Sequence, residues 1–284
     1  MGEAKTWTGE RLETFIFCNN TIEHLHRYAM AIEIVKGKTV LDIASGEGYG
    51  SHLLSKYAEK VFGVDIDEIT IEAAKEKYKA ENLEFRIGRA DAIPLEDNSV
   101  DVVISFETLE HHDKHHEMMR EIKRVLKVNG ILTMSTPDKR YYSDESNYKN
   151  PFHVKELYAS EFKELVNNYF KFAHYYFQNM FKGSLIISEQ NSFGFKSFDG
   201  DFEEINYGAG FVPMYLITIA SDGILPSDNN LSCFVGQSIA RKEQEDLINK
   251  IKEEVRGEAV NWVKGSWAFR IGNAILSPFR IFKK

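Results

Sequence analysis

Thr39-Val40-Leu41-Asp42-Ile43-Ala44-Ser45-Gly46-Glu47-Gly48-Tyr49-Gly50 is the stretch that decides how this chain folds. It is a short apolar strand that runs into a glycine-rich loop and opens a helix at Ser51. A second apolar run, Val61-Phe62-Gly63-Val64-Asp65, follows and ends on an acid. A strand, a loop where backbone can approach a ligand, and a carboxylate on the next strand tip together make a nucleoside-binding device. The glycines permit the tight turn, and Asp65 can accept two hydrogen bonds from ribose hydroxyls. Glycines at 46, 48 and 50 depart from the dinucleotide fingerprint Gly-x-Gly-x-x-Gly. No Lys-Ser/Thr follows, so a Walker phosphate loop is excluded. A glycine-rich turn that binds nothing is the competing explanation.

The segments downstream keep the same alternation. A helix is expected over 67–79, with Ile69, Ile71, Ala73, Ala74 and Tyr78 as its buried positions. The third strand, Leu83-Glu84-Phe85-Arg86-Ile87, leads into Gly88-Arg89-Ala90-Asp91-Ala92-Ile93-Pro94-Leu95, a loop stopped by proline. Val100-Asp101-Val102-Val103-Ile104-Ser105 then has the near-continuous apolar character of a buried parallel strand. A helix over 117–127 presents Met118, Met119, Ile122, Val125 and Leu126. Asn129-Gly130 stops it, and a fifth strand spans 131–135.

In this order, residues 38–137 resemble the class I S-adenosylmethionine (SAM)-dependent methyltransferases. The resemblance implies an α/β fold: a Rossmann-like, seven-stranded, mostly parallel sheet with helices on both faces, insertions and a C-terminal helical tail. It implies SAM as cofactor. That family's Asp/Glu-x-x-x-Gly-x-Gly loop cradles the amino-acid part of the cofactor, a role that falls on Asp42, Ala44, Gly46 and Gly48. Asp65 would take the ribose and Ile66 the adenine face, while Asp91 and the Ala92 backbone would meet the adenine amino group. Phe106 and Glu107 would line the cofactor and acceptor pocket. The N-terminal segment of many such enzymes covers the cofactor, so Tyr28 and Arg27 are further candidates. Helix packing is the alternative for Tyr28.

At 284 residues the chain can bury a full core, and 43% hydrophobic with 27% charged residues is a globular composition. No signal-peptide pattern opens it and no run is long enough to span a membrane, so a cytoplasmic protein is expected. Two cysteines, Cys18 and Cys233, make no disulfide framework and are expected to be plain buried residues. A net charge of -8 argues against nucleic acid as a partner. The charge is uneven: after Glu258 there are five basic residues and no acid.

Three regions follow from these signals: a helical cap over 1–37, a methyltransferase domain over 38–239, and a charged helix with a basic amphipathic tail over 240–284. Insertions rich in aromatic residues interrupt the domain at 138–158 and 181–212. Between and after them come a helix at 160–168 with Ser160 as N-cap, a sixth strand at 170–177 and a seventh at 214–220. The tail mixes Trp267, Phe269, Ile271, Phe279 and Phe282 with basic residues. That mixture suits peripheral contact with anionic lipid at the inner membrane face. Docking on the domain or on a second copy in an oligomer is the other reading.

Transfer of a methyl group to a hydroxyl needs an aligned acceptor and a base. Glu107-x-x-Glu110-His111-His112 follows the fourth strand, and His153 lies in the first insertion. Catalysis is therefore assigned to Glu107 and to His111 or His153 as general base. A second assignment makes Glu107, Glu110 and His111 ligands to a divalent ion such as Mg²⁺, since positions i, i+3 and i+4 share one face of a helix. The string resembles the same segment of quinone-biosynthesis O-methyltransferases, some of which use such a metal. A plain pocket wall and helix cap is the third, and His115 and His116 read as surface residues. Gly9-Glu10-Arg11, His26-Arg27-Tyr28, Asn150-Pro151-Phe152-His153 and the tail together resemble bacterial methyltransferases of surface-polysaccharide and O-antigen assembly. That resemblance implies a sugar or glycan acceptor, in some cases lipid-linked. A quinone-type enzyme and a non-catalytic SAM-binding scaffold are the alternatives.

Overall fold

The computed structural model describes residues 11–181, 183–189, 198–200, 205–207, 214–227 and 231–276. Met1 to Glu10, Phe193, Phe195, Phe202, Pro213 and the end of the tail lie outside them. The described residues fall into two compact units, divided between Gly236 and Gln237.

In the first unit, α1 (Asn19–Val35) precedes β1 (Thr39–Ile43), α2 (Tyr49–Ser55), β2 (Lys60–Asp65), α3 (Glu68–Lys77), β3 (Leu83–Ile87) and β4 (Val100–Phe106). After a 3-10 turn at Leu109–His111 come α4 (His115–Val125), β5 (Leu126–Pro137), α5 (Ala159–Asn167), β6 (Phe172–Phe181) and β7 (Gly183–Ser188). The short strands β8 (Phe198–Gly200) and β9 (Ile205–Tyr207) pair with each other, and β10 (Tyr215–Ser221) and β11 (Leu231–Phe234) close the unit.

The main sheet has the order β11-β7-β6-β10-β5-β4-β1-β2-β3. Its half from β5 to β3 is parallel, with Val40 against Val61 and Val102 across β1, β2 and β4. Every pairing from β10 outward is antiparallel. The fold is therefore the Rossmann-like one expected, with nine strands among the described residues rather than seven. The two added strands, β7 and β11, extend the edge beside β6. The buried ring of His26 on α1 pins them: its nitrogens meet the hydroxyls of Ser184 and Ser232 at 2.8 and 2.9 Å.

The parallel strands earn their place by burial. Val40, Leu41, Ile43, Val102, Val103 and Ile104 are at most 1% exposed, and burying each such side chain contributes about 1.5–3 kcal/mol. Other expectations need correction. Asp67 caps α3 by accepting from the Ile69 and Thr70 amides, which places Ile69 in the first turn, 82% exposed. The buried face is Ile71 and Ala74, with Tyr78 half-buried and Ala73 outside. The cap of α5 forms two residues earlier than expected: Glu161 accepts from the Tyr158 amide at 2.9 Å. His115 is buried, with Nε2 on the His112 carbonyl. Cys233 is exposed and Cys18 half-buried.

Gly50 shows how tightly the opening loop is packed. A Cβ added there would lie 2.0 Å from the Tyr28 ring. Gly50→Ala is expected to lower stability by about 1–3 kcal/mol or more, the cost of overpacking, read as a lower urea midpoint.

The second unit consists of α6 (Gln237–Gly265) and α7 (Trp267–Leu276). On α6, Leu247, Ile248, Ile251, Val255 and Trp262 are all exposed, as are Trp267 and Phe269 on α7. No described helix is long and apolar enough to cross a membrane.

Candidate active site

Strands β1, β2 and β4 end at one rim of the sheet, where a cleft of about 640 Å³ opens. At such a rim the loops leaving parallel strands meet a ligand. The β1 loop turns sharply, with Ala44, Gly46 and Gly48 at φ 60, 54 and 92°. The Gly46 amide donates to Asp65 Oδ2 at 2.9 Å and the Asp67 amide to Oδ1 at 3.0 Å. Arg11 bonds Asp67 at 2.6 Å and places Nη2 3.6 Å from Asp65. Asp65 thus ties the two loops together at the cleft wall.

Of the residues assigned to the cofactor, Tyr28, Ala44, Gly46, Asp65, Ile66, Asp91 and Phe106 line the cleft. Ile66 is 59% exposed there, an apolar side chain facing open space. Asp91 also holds Arg89 and Lys114, each at 2.7 Å, and these keep its carboxyl well below the usual range. Asp42, Gly48 and Ala92 do not line the cleft. Asp42 stands behind the loop, fully buried, accepting from Ser51 Oγ at 2.7 Å and from the Tyr28 hydroxyl at 3.3 Å. Burial pushes its carboxyl up to about 7. Gly48 backs onto Phe85, leaving no room for a Cβ, and Ala92 turns outward to bond the Arg89 carbonyl.

Arg27 is also behind the wall, 1% exposed. Its Nε donates to Gln178 at 2.7 Å, its guanidinium lies 4.3 Å over the Tyr215 ring, and Nη1 sits 3.3 Å from Glu107. Glu23 completes this floor, accepting from the Tyr215 hydroxyl at 2.8 Å, with its own carboxyl raised to about 7 by burial. Neither Glu23 nor Tyr215 was visible as a site residue in the sequence, because α1 and β10 meet only in the fold.

The Glu107-x-x-Glu110-His111 string is not one helical face. Glu107 has φ 52° and leaves β4 toward Ser135, whose hydroxyl donates to it at 2.7 Å. Only the 3-10 turn follows. Glu110 is buried, accepts from Thr136 at 3.0 Å, and is pushed well up by burial and by the Glu107 charge. His153 arrives from the first insertion instead. Among the described residues, Glu110, His111 and His153 each bring a donor atom within 4.8 Å of the others. One carboxyl and two imidazoles make a nitrogen-rich set, whereas Mg²⁺ takes oxygen ligands. Both ring nitrogens of His153 already hold hydrogen bonds. The residues do not fit Mg²⁺, and Glu107 is not in the cluster.

The fold agrees with known proteins. A profile described as a methyltransferase domain matches residues 34–179, just over half of the chain. The chain belongs to the methyltransferase-domain family. A "Probable S-adenosylmethionine-dependent methyltransferase" of Mycolicibacterium smegmatis is 37% identical over 131 residues, covering 46% of this chain and 50% of that protein. The phthiotriol/phenolphthiotriol dimycocerosates methyltransferase 1 of Mycobacterium ulcerans is 30% identical over 113 residues, 39% of this chain and 41% of its own length. The chain therefore spans half or less of these two curated relatives. A SAM-dependent methyltransferase structure from Thermotoga maritima superposes with a TM-score of 0.51 at 17% identity, covering 70% of this chain and 89% of the other. That likeness is one of fold.

Proposed function

We propose that this chain transfers the methyl group of SAM to a hydroxyl of a sugar or glycan. The hydroxyl part of this reading rests on one histidine. His111 lines the cleft with Nδ1 3.1 Å from the Phe152 carbonyl. A carbonyl only accepts, so Nδ1 carries the hydrogen and Nε2 is left as the basic nitrogen. Bound SAM would supply the methyl group from its sulfonium, with the S–CH₃ bonding pair left on sulfur. The acceptor oxygen would take that methyl, and His111 Nε2 would take the proton the oxygen gives up.

The acceptor end also has Tyr142, Tyr148 and Phe152, with Glu23, Glu107 and Glu110 near the floor. Aromatic faces suit a sugar ring, and the carboxyl groups can hydrogen-bond its hydroxyls. The test is transfer of labelled methyl to nucleotide sugars, lipid-linked glycans, lipid polyols and catechols, with and without EDTA. Glycan labelling that survives EDTA is expected. Labelling of catechol alone, or only with restored metal, would favour the quinone-type reading. Tight SAM binding with no labelling would favour the scaffold.

The tail extends the proposal to an anionic lipid surface. Trp262, Trp267 and Phe269 are exposed around Lys264 and Arg270, and no acid follows Glu258. Exposed aromatic side chains with basic neighbours match the physics of interfacial binding. Deleting residues 263–284 is expected to leave SAM binding intact and to abolish sedimentation with phosphatidylglycerol vesicles. Equal sedimentation of both forms would contradict the lipid contact.

A further inference from the structure

Residues 150–156 form a hydrogen-bonded unit whose purpose the general chemistry leaves open. Glu156 accepts from His153 Nδ1, and the two side chains are 9% and 8% exposed. Asn150 Oδ1 accepts from the Phe152 amide at 3.0 Å, which fixes the orientation of the Asn150 side chain. Its Nδ2 therefore donates to His153 Nε2, at 3.0 Å. Both nitrogens of His153 are committed, one to a carboxylate and one to an amide, and its tautomer is set. Tyr142 stacks on the same ring at 5.2 Å.

The unit is clamped to the turn that carries His111. The Val154 and Lys155 amides both donate to the Glu110 carbonyl, at 2.8 and 3.0 Å. The His153 ring meets His111 edge-on at 5.3 Å. Between these contacts the Phe152 carbonyl meets His111 Nδ1. The position of that one carbonyl decides which nitrogen of His111 is basic.

The geometry points to Glu156 as a positioning residue for the proton acceptor. Through His153 and Asn150 it holds the Phe152 carbonyl against His111 Nδ1, so that His111 presents Nε2 to the acceptor hydroxyl. His153 is then a strut rather than the base. This inference rests on the proposed methyl transfer for its role in turnover, but the arrangement itself is read without turnover. A buried carboxylate that fixes an imidazole's orientation is a general device for setting its tautomer. Here it acts one imidazole removed from the reacting one.

The test is long-range ¹⁵N–¹H NMR of histidine-labelled full-length protein, with a Glu156→Leu and a Glu156→Gln variant. The Gln side-chain oxygen still accepts from His153 Nδ1. Wild type and Glu156→Gln are expected to show His111 protonated on Nδ1. Glu156→Leu is expected to move His111 toward the Nε2-protonated form while SAM binding by calorimetry stays intact, which checks the fold. With a labelled acceptor, Glu156→Leu should lower kcat at least about tenfold, part of the ~10²–10⁴ a positioned base supplies, with KM for SAM unchanged. Glu156→Gln should restore it. A His111 tautomer that is the same in wild type and Glu156→Leu would overturn the inference, whatever the acceptor proves to be. Failure to methylate any hydroxyl, with the tautomer shift present, would instead strike the proposed function.

Discussion

Asp65→Ala is expected to weaken SAM binding about 100-fold or more by calorimetry. The carboxylate sits at the cleft wall, buried and at the tip of β2, where it can meet two ribose hydroxyls. Hydrogen bonds to a charged group contribute roughly 1.5–3 kcal/mol each, and 1.4 kcal/mol is a factor of ten. The same carboxylate accepts from the Gly46 and Asp67 amides, so its loss also loosens the two loops that wall the cleft. Asp65→Asn keeps one acceptor oxygen and should fall between wild type and alanine. Unchanged affinity in Asp65→Ala would remove the ribose assignment.

His111→Asn should lower kcat by about 10²–10⁴, the usual contribution of a positioned general base. The Asn amide can still donate to the Phe152 carbonyl, so the turn keeps its anchor while the basic nitrogen is gone. KM for SAM should not change, because the cofactor is assigned to the loops after β1 and β2. A variant with full kcat would move the proton to solvent or to another group. The matching change at His153 is expected to act through loop geometry, and so to be partly rescued by restoring the Glu156 contact rather than by added imidazole.

The parallel half of the sheet was legible in the sequence because its signals are local. Gly46 and Gly48 need positive φ, Asp65 ends an apolar run, and Val100 to Ile104 is apolar but for Asp101 because both faces are covered. Gly50 was legible only as part of a pattern; its tight approach to Tyr28 depends on α1. The added edge strands were not legible. Ser184 and Ser232 break their apolar character, and their pairing is specified by His26 from far away in the chain. The Glu107-x-x-Glu110-His111 spacing misled because it presumes a helix, whereas Glu107 has positive φ and only a 3-10 turn follows. His153 could be named from its Asn-Pro-Phe-His setting, but Glu156, three residues on, had no signal of its own. Only the docking of the insertion on the Glu110 carbonyl gives it a role.

The most direct measurement is calorimetric titration of SAM into the intact chain. Saturable binding of one molecule per chain is expected, competed by S-adenosylhomocysteine and lost in Asp65→Ala. No heat and no competition under conditions where the protein is folded would contradict it.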